Sequence, residues 1–299
     1  MNMTPNDYLE QVLKEQTLAE DGNELTALRE KRSEVEALLK KEFASSKMSI
    51  RYGGSKAKNT MIRENYDLDM VCYFSEDETA AGESLEAIYK NVSKALQKDY
   101  FVTEKTSAIR LASKDQLDFH VDVVPGRFTD GTKSDVFIYQ KSAEKCRLKT
   151  NLDTHISHIR DSGFTEAIRL VKLWSVRNGL WVKTFILELM VIDLLNELDN
   201  DDLEAQFIHV LTEIRDNMEN IYVEDPANPS GNDLTPALDS VRPLLVSVAR
   251  STLGYIESDQ WTQVFGQVEK SKSASRATLA AAAISTTTVA AKPWTSDKK

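Results

Sequence analysis

The chain has 299 residues, of which 41% are hydrophobic and 28% charged, the balance of a soluble globular protein with room for two compact domains. A formal net charge of −10 argues against a long nucleic acid as the main partner, because such binders need a basic footprint. Cys72 and Cys146 stand far apart and without a Cys/His cluster, which speaks against a disulfide framework and against a zinc site.

The first forty-odd residues are highly charged but carry an apolar stripe, Leu25, Leu28, Val35, Leu38 and Leu39, which predicts an amphipathic helix packed on one side. Met48 to Tyr52 reads as a short strand. It runs into Gly53-Gly54-Ser55, a turn that opens a helix, where glycine lets the backbone approach phosphate closely and Ser55 offers a hydroxyl. Arg51, Lys56, Lys58 and Arg63 flank this turn. The next strand holds Asp67 and Asp69, whose i, i+2 spacing points both carboxylates to one face, with Leu68 turned the other way.

Gly82 to Tyr100 reads as a helix with Leu85, Ile88, Val92 and Leu96 on one side. Strand-like runs follow at 107–112, 116–124 and 135–139. In the second of these Leu117, Phe119, Val121 and Val123 alternate with Asp118, His120 and Asp122, and Pro125 should end the strand. Asp122 is a candidate for chemistry, with Asp118 and His120 as rivals on its face. The simpler readings give Asp118 a capping or pairing role and His120 a packed one. Lys141, Lys145, Arg147 and Lys149 form a second basic cluster, read as a solvated face.

Beyond residue 150 the pattern turns helical, which places a lobe boundary near 160. Phe164, Ala167, Ile168, Val171 and Trp174 line one helix that Gly179 terminates, and Lys172 falls off that stripe, open to a cleft. Thr184 to Leu198 is apolar nearly all round, the expected core helix of a second lobe. Glu188 within it is expected to pair with a basic side chain. The stretch is too short to span a bilayer, and the residues after Met1 are polar, so a cytoplasmic protein without a membrane partner is expected. Further helices are expected at 202–218, 234–250 and 261–268. The Glu224-Asp225-Pro226-Ala227-Asn228-Pro229 segment is a turn-rich loop, and residues 271–299 are Ser/Ala/Thr-rich, consistent with a flexible tail. The resulting division is 1–160, 161–270 and 271–299.

Gly54-Ser55 followed, after eleven residues, by Asp67-Leu68-Asp69-Met70 resembles the signature of the polymerase-β-like nucleotidyltransferases. His120-Val121-Asp122-Val123-Val124-Pro125, Arg169-Leu170-Val171-Lys172-Leu173-Trp174 and the Asp225-Pro226 loop make it most similar to the cGAS/DncV-like branch, related to oligoadenylate synthetase, over roughly residues 45 to 250. The resemblance implies an α+β fold, a palm with a mixed sheet plus an all-helical second lobe, with a long N-terminal helix bracing both. It implies Asp67, Asp69 and Asp122 as the catalytic metal ligands for Mg2+. Gly54, Ser55, Lys172 and Thr184 would hold the triphosphate of a nucleoside triphosphate substrate, and Asp225 or Asn232 would approach a base at the cleft mouth.

The implied activity is template-independent synthesis of a cyclic oligonucleotide messenger in bacterial antiphage signalling, with a regulatory partner protein as one expected associate. The physics agrees, since hard oxygen ligands hold Mg2+ against phosphates and a lysine serves as a point charge on a phosphate. Two other readings compete: an RNA 3′-end nucleotidyltransferase of the tRNA type, which would need a grip on a polynucleotide, and a nucleotide-binding module without catalysis.

Overall fold

In the computed structural model, residues 3–66, 68–114, 120–141, 146–198 and 202–268 are described. The order is α1 (Pro5–Glu15), α2 (Asn23–Glu42), β1 (Met48–Tyr52), α3 (Gly54–Ala57), β2 (Leu68–Phe74), α4 (Leu85–Leu96), β3 (Tyr100–Glu104), β4 (Ile109–Ser113), β5 (His120–Phe128), β6 (Val136–Tyr139) and β7 (Arg147–Thr150). Helices follow: α5 (Leu152–Arg160), α6 (Thr165–Arg177), α7 (Thr184–Leu195), α8 (Leu203–Asn217), α9 (Arg242–Glu257) and α10 (Trp261–Phe265). The expected tail, 271–299, lies outside the described residues.

The sheet runs β1-β2-β5-β4-β3, with β6 on the second half of β5 and β7 on β6. Among the described strands only β2 and β5 run parallel; the other pairs are antiparallel. β5 does not stop at Pro125 but continues to Phe128, which corrects the expected end. The reason is a change of partner. β4 pairs β5 only as far as Val123, and β6 takes over at Gly126, so Pro125 falls where that edge of β5 has no ladder to break.

Residue parity on the strands separates two cores. Met70, Cys72 and Phe74 of β2 join Val121 and Val123 of β5 and the α4 stripe Ile88, Val92 and Leu96 beneath the sheet. Val71 and Tyr73 lie on the other face with Phe128, Val136 and Ile138. The largest core gathers α6, α7, α8 and α9 around Trp174, Met190 and Phe207. α6 ends as expected, with Gly179 just beyond it at φ 64.

The N-terminal stretch is two helices rather than one. Thr4 and Asp7 form a capping box with Pro5 in the first turn, so α1 begins firmly. Its apolar face, Tyr8, Leu9, Val12 and Leu13, belongs to the helical core, whereas Val35 and Leu39 of α2 pack under the sheet. The brace across both halves is therefore shared between two separate helices. Among the described residues, no helix is long and apolar enough to cross a membrane.

Candidate active site

The parallel pairing of β2 with β5 sets Asp69 directly opposite Asp122 in register, and both side chains leave the sheet on the face of Val71 and Val124. Two carboxylates from adjacent strands therefore share one patch. Asp67 and Asp118 lie outside the described residues. Carboxylate oxygens of this kind suit a hard divalent cation, and the site fits one on its donor chemistry.

The Gly53–Ser55 turn closes over this patch. Gly53 N–H donates to the Asp69 carbonyl at 3.1 Å, tying the turn to the strand. Gly54 has φ 73, a conformation that L side chains rarely adopt, and a Cβ there would stand 1.9 Å from Asp69 Oδ2. Glycine is thus demanded twice, by the backbone and by the carboxylate. Ser55 follows, 8% exposed at the start of α3.

Asp122 is gripped from β4 and from the turn after β3. Arg110, its opposite Cα partner, donates from Nε to Oδ1 at 2.8 Å and from Nη2 to Oδ2 at 2.7 Å; Lys105 Nζ donates to Oδ2 at 2.9 Å. Burial works to raise the Asp122 pKa, but these cations outweigh it and hold the carboxyl below its ordinary value. Arg110 was legible as a polar position between Ile109 and Leu111, although nothing local marked its partner. His120 is half-buried at the start of the same strand.

Lys172 is corrected by the structure. It is 3% exposed rather than open to a cleft, and its ammonium donates to the Thr60 carbonyl at 2.7 Å and to Glu188 Oε1 at 3.2 Å. Lys58 pairs with the other Glu188 oxygen, and Thr60 Oγ1 donates to Glu188 Oε1 at 2.5 Å. Glu188 therefore pairs with lysine as expected, but with two. The two cations overcome the burial that would raise its pKa and keep Glu188 low, while burial lowers Lys172 despite Glu188. Asp69 also acts electrostatically on Lys172, which places this network just behind the carboxylate patch. Because Thr60 N–H donates to the Ser55 carbonyl at 2.9 Å, the network fastens the Gly-Ser turn to α6 and α7.

Thr184 is the first residue of α7 and half-buried; the residue capping that helix is Lys183. Next to it, the Phe185 ring lies 4.6 Å from that of His155 and 5.4 Å from Lys58 Nζ, so α3, α5 and the start of α7 meet here. The other basic flankers are engaged in ion pairs: Arg51 with Asp153, Lys56 with Glu20 and Arg63 with Glu24. In the second cluster Lys149 pairs with Asp135, and Arg147 lies over Phe137.

Asp225 does not face a cleft mouth. It is 2% exposed and joined to His155 Nε2 at 2.6 Å, to Asn232 Nδ2 at 2.8 Å and to the Ala227 N–H at 2.9 Å, so this loop is locked onto α5. Burial raises its pKa but the His155 bond and charge, with Asn232, lower it overall. A depressed carboxyl stabilises the fold above its unfolded pKa and loses that contribution as pH falls through the folded value. Asp225→Asn should therefore cost about 1–3 kcal/mol at neutral pH. In denaturant melts the gap to the wild type should close as pH falls below 3.8, the ordinary value for the group.

No protein-family model matches the chain, and a comparison with curated proteins gives no match. Solved structures do share its fold. CdnC of E. coli MS115-1 with ATP is 18% identical, with 89% of this chain and 99% of that one aligned at a TM-score of 0.65; the same protein has been solved as a complex with HORMA-deltaN. The Bradyrhizobium diazoefficiens CD-NTase CdnG with GTP is 15% identical over 89% of this chain and 97% of that one, at 0.67. Vibrio cholerae DncV cyclic AMP-GMP synthase with nonhydrolyzable GTP is 13% identical over 74% and 69%, at 0.59. These likenesses establish the fold as the α+β arrangement of the CD-NTases, a mixed sheet with a helical lobe.

Proposed function

We propose that this chain is a nucleotidyltransferase that joins nucleoside triphosphates, without a template, into a cyclic oligonucleotide serving as a second messenger in bacterial antiphage signalling. The observation that carries this reading is the in-register pair Asp69 and Asp122 under the Gly53–Ser55 turn. Its setting supports the reading, since the fold is shared with neighbours solved with ATP and with GTP.

In this reading Asp69 and Asp122, with Asp67, hold divalent cations such as Mg2+. When bound, these neutralise the charge that builds on the α-phosphate and make the acceptor hydroxyl more acidic. Beyond Gly53, whose N–H is held by the Asp69 carbonyl, the turn brings the Gly54 and Ser55 backbone and the Ser55 hydroxyl to the β and γ phosphates, and Thr184 adds a hydroxyl at a helix start. Lys172 supplies positive potential from behind the patch. The acceptor hydroxyl gives up its proton to water as its oxygen bonds to the α-phosphorus, the α–β phosphoanhydride breaks, and pyrophosphate leaves with the electron pair. A second transfer in the same cleft closes the ring.

The chain is taken as cytoplasmic, and the HORMA-deltaN complex of the E. coli neighbour makes a regulatory partner protein a reasonable associate here as well. The rival reading, extension of an RNA 3′ end, is disfavoured by the net charge of −10. Incubation of the full chain with α-labelled nucleoside triphosphates and Mg2+, with and without added tRNA, separates the two. Phosphatase-resistant label formed without RNA is the expected result, and label appearing only on added RNA would establish the rival.

A further inference from the structure

The two cations on Asp122 are held in different ways. Arg110 grips both oxygens from the opposite position on β4, so the strand register fixes its guanidinium. Lys105 comes from the turn between β3 and β4 and reaches Oδ2 on a flexible stem that is 37% exposed. A carboxylate that ligates a hard cation must offer that cation its lone pairs. An ammonium on the same oxygen competes for those lone pairs and repels the incoming charge.

We infer that Lys105 is a displaceable counter-ion of Asp122. It occupies the carboxylate until a divalent cation arrives and then swings away, while Arg110 remains and keeps the carboxylate aimed. This rests on Asp122 being a metal ligand, as in the function proposed above. The fold offers a place for the displaced ammonium. Lys105 also lines a cavity of about 590 Å³ between α4, the β3–β4 turn and the end of β6, whose wall carries Glu86, paired with Lys90, and Glu104, which accepts from Ser93, as well as Lys141. Lys90 lines the same cavity but pairs with Glu86, at 2.7 Å, which makes it the matched control for loss of a nearby positive charge.

The test is Mn2+ alone titrated into the full chain, with free Mn2+ read by electron paramagnetic resonance. Lys105→Ala should bind Mn2+ about fivefold more tightly, roughly 1 kcal/mol. Lys90→Ala should change affinity by less than about twofold, because its charge is exposed and already paired with Glu86. Asp122→Asn should weaken binding roughly tenfold or more, and Lys105→Ala should have no effect in that background. If Lys105→Ala binds no more tightly than Lys90→Ala while Asp122→Asn is still weakened, the counter-ion role is wrong and the ligand assignment stands. If Asp122→Asn binds Mn2+ like the wild type, Asp122 is not a ligand and both statements fall.

Discussion

Gly54→Ala is expected to slow the proposed nucleotidyl transfer about a hundredfold and to destabilise the chain. A positive φ costs an L residue about 1–2 kcal/mol. The new Cβ would also overlap Asp69 Oδ2, since only 1.9 Å separates the two positions. Either the turn lifts or the carboxylate rotates, and both move the group that the proposed reaction sets against the α-phosphate. Misplacement by about 1 Å is enough for a hundredfold loss of rate. Thermal melts should show a fall of roughly 5 °C. Gly53→Ala is the comparison, because Gly53 has φ −115 and its added Cβ would meet only Leu152 Cδ1 at 3.0 Å. It should melt closer to the wild type, and equal destabilisation by both variants would mean that Asp69 does not press on the turn.

Glu188→Leu carries the second large effect. Glu188 is fully buried and is the shared carboxylate of Lys58 and Lys172, both buried. Removing it leaves two buried ammonium groups without a counter-ion, at a cost of about 3–5 kcal/mol. Glu188→Gln keeps an acceptor for Thr60 and should lose less. The pH dependence follows from Lys172, whose pKa burial holds below the ordinary 10.5. The unfolded chain then binds that proton more tightly than the folded one, so stability rises with pH from the folded value up to 10.5. Without Glu188 the depression deepens, and the deficit of Glu188→Leu should narrow as pH is raised, which urea melts at neutral and alkaline pH measure. A deficit that does not change with pH would mean that Lys172 is not held charged in the buried network.

The sequence carries the site's components more clearly than their arrangement. Alternation along Leu117 to Val123 locates a strand and puts Asp122 on its polar face, and the Gly-Ser turn and the Asp-x-Asp strand are legible from local chemistry. That Asp69 meets Asp122 depends on which strands pair and in what register, and no local pattern encodes this. β3 and β7 pass unnoticed because Phe101-Val102-Thr103-Glu104 and Arg147-Leu148-Lys149 are short edge sequences without a clear alternation. The seven residues between α1 and α2, 16–22, hide inside an otherwise charged helical composition.

Lys172 shows the limit of periodicity. A helix with polar side chains off its stripe looks half exposed, but α6 is covered on that side too, by the segment after the Gly-Ser turn and by Glu188 of α7. A lysine tolerates such a position only with partners, and those partners are 112 and 16 residues away in the chain.

The central claim is that Asp69 and Asp122 act together on a nucleoside triphosphate. Mass spectrometry of the products made by the full chain from ATP, GTP, CTP and UTP with Mg2+ tests it most directly, run beside Asp69→Ala and Asp122→Ala. The wild type should yield a cyclic oligonucleotide that lacks free phosphate ends, with pyrophosphate released, and both variants should yield at least a thousandfold less, roughly the loss expected when charge stabilisation at the reacting phosphate is removed. The same product at wild-type levels from either variant would contradict it.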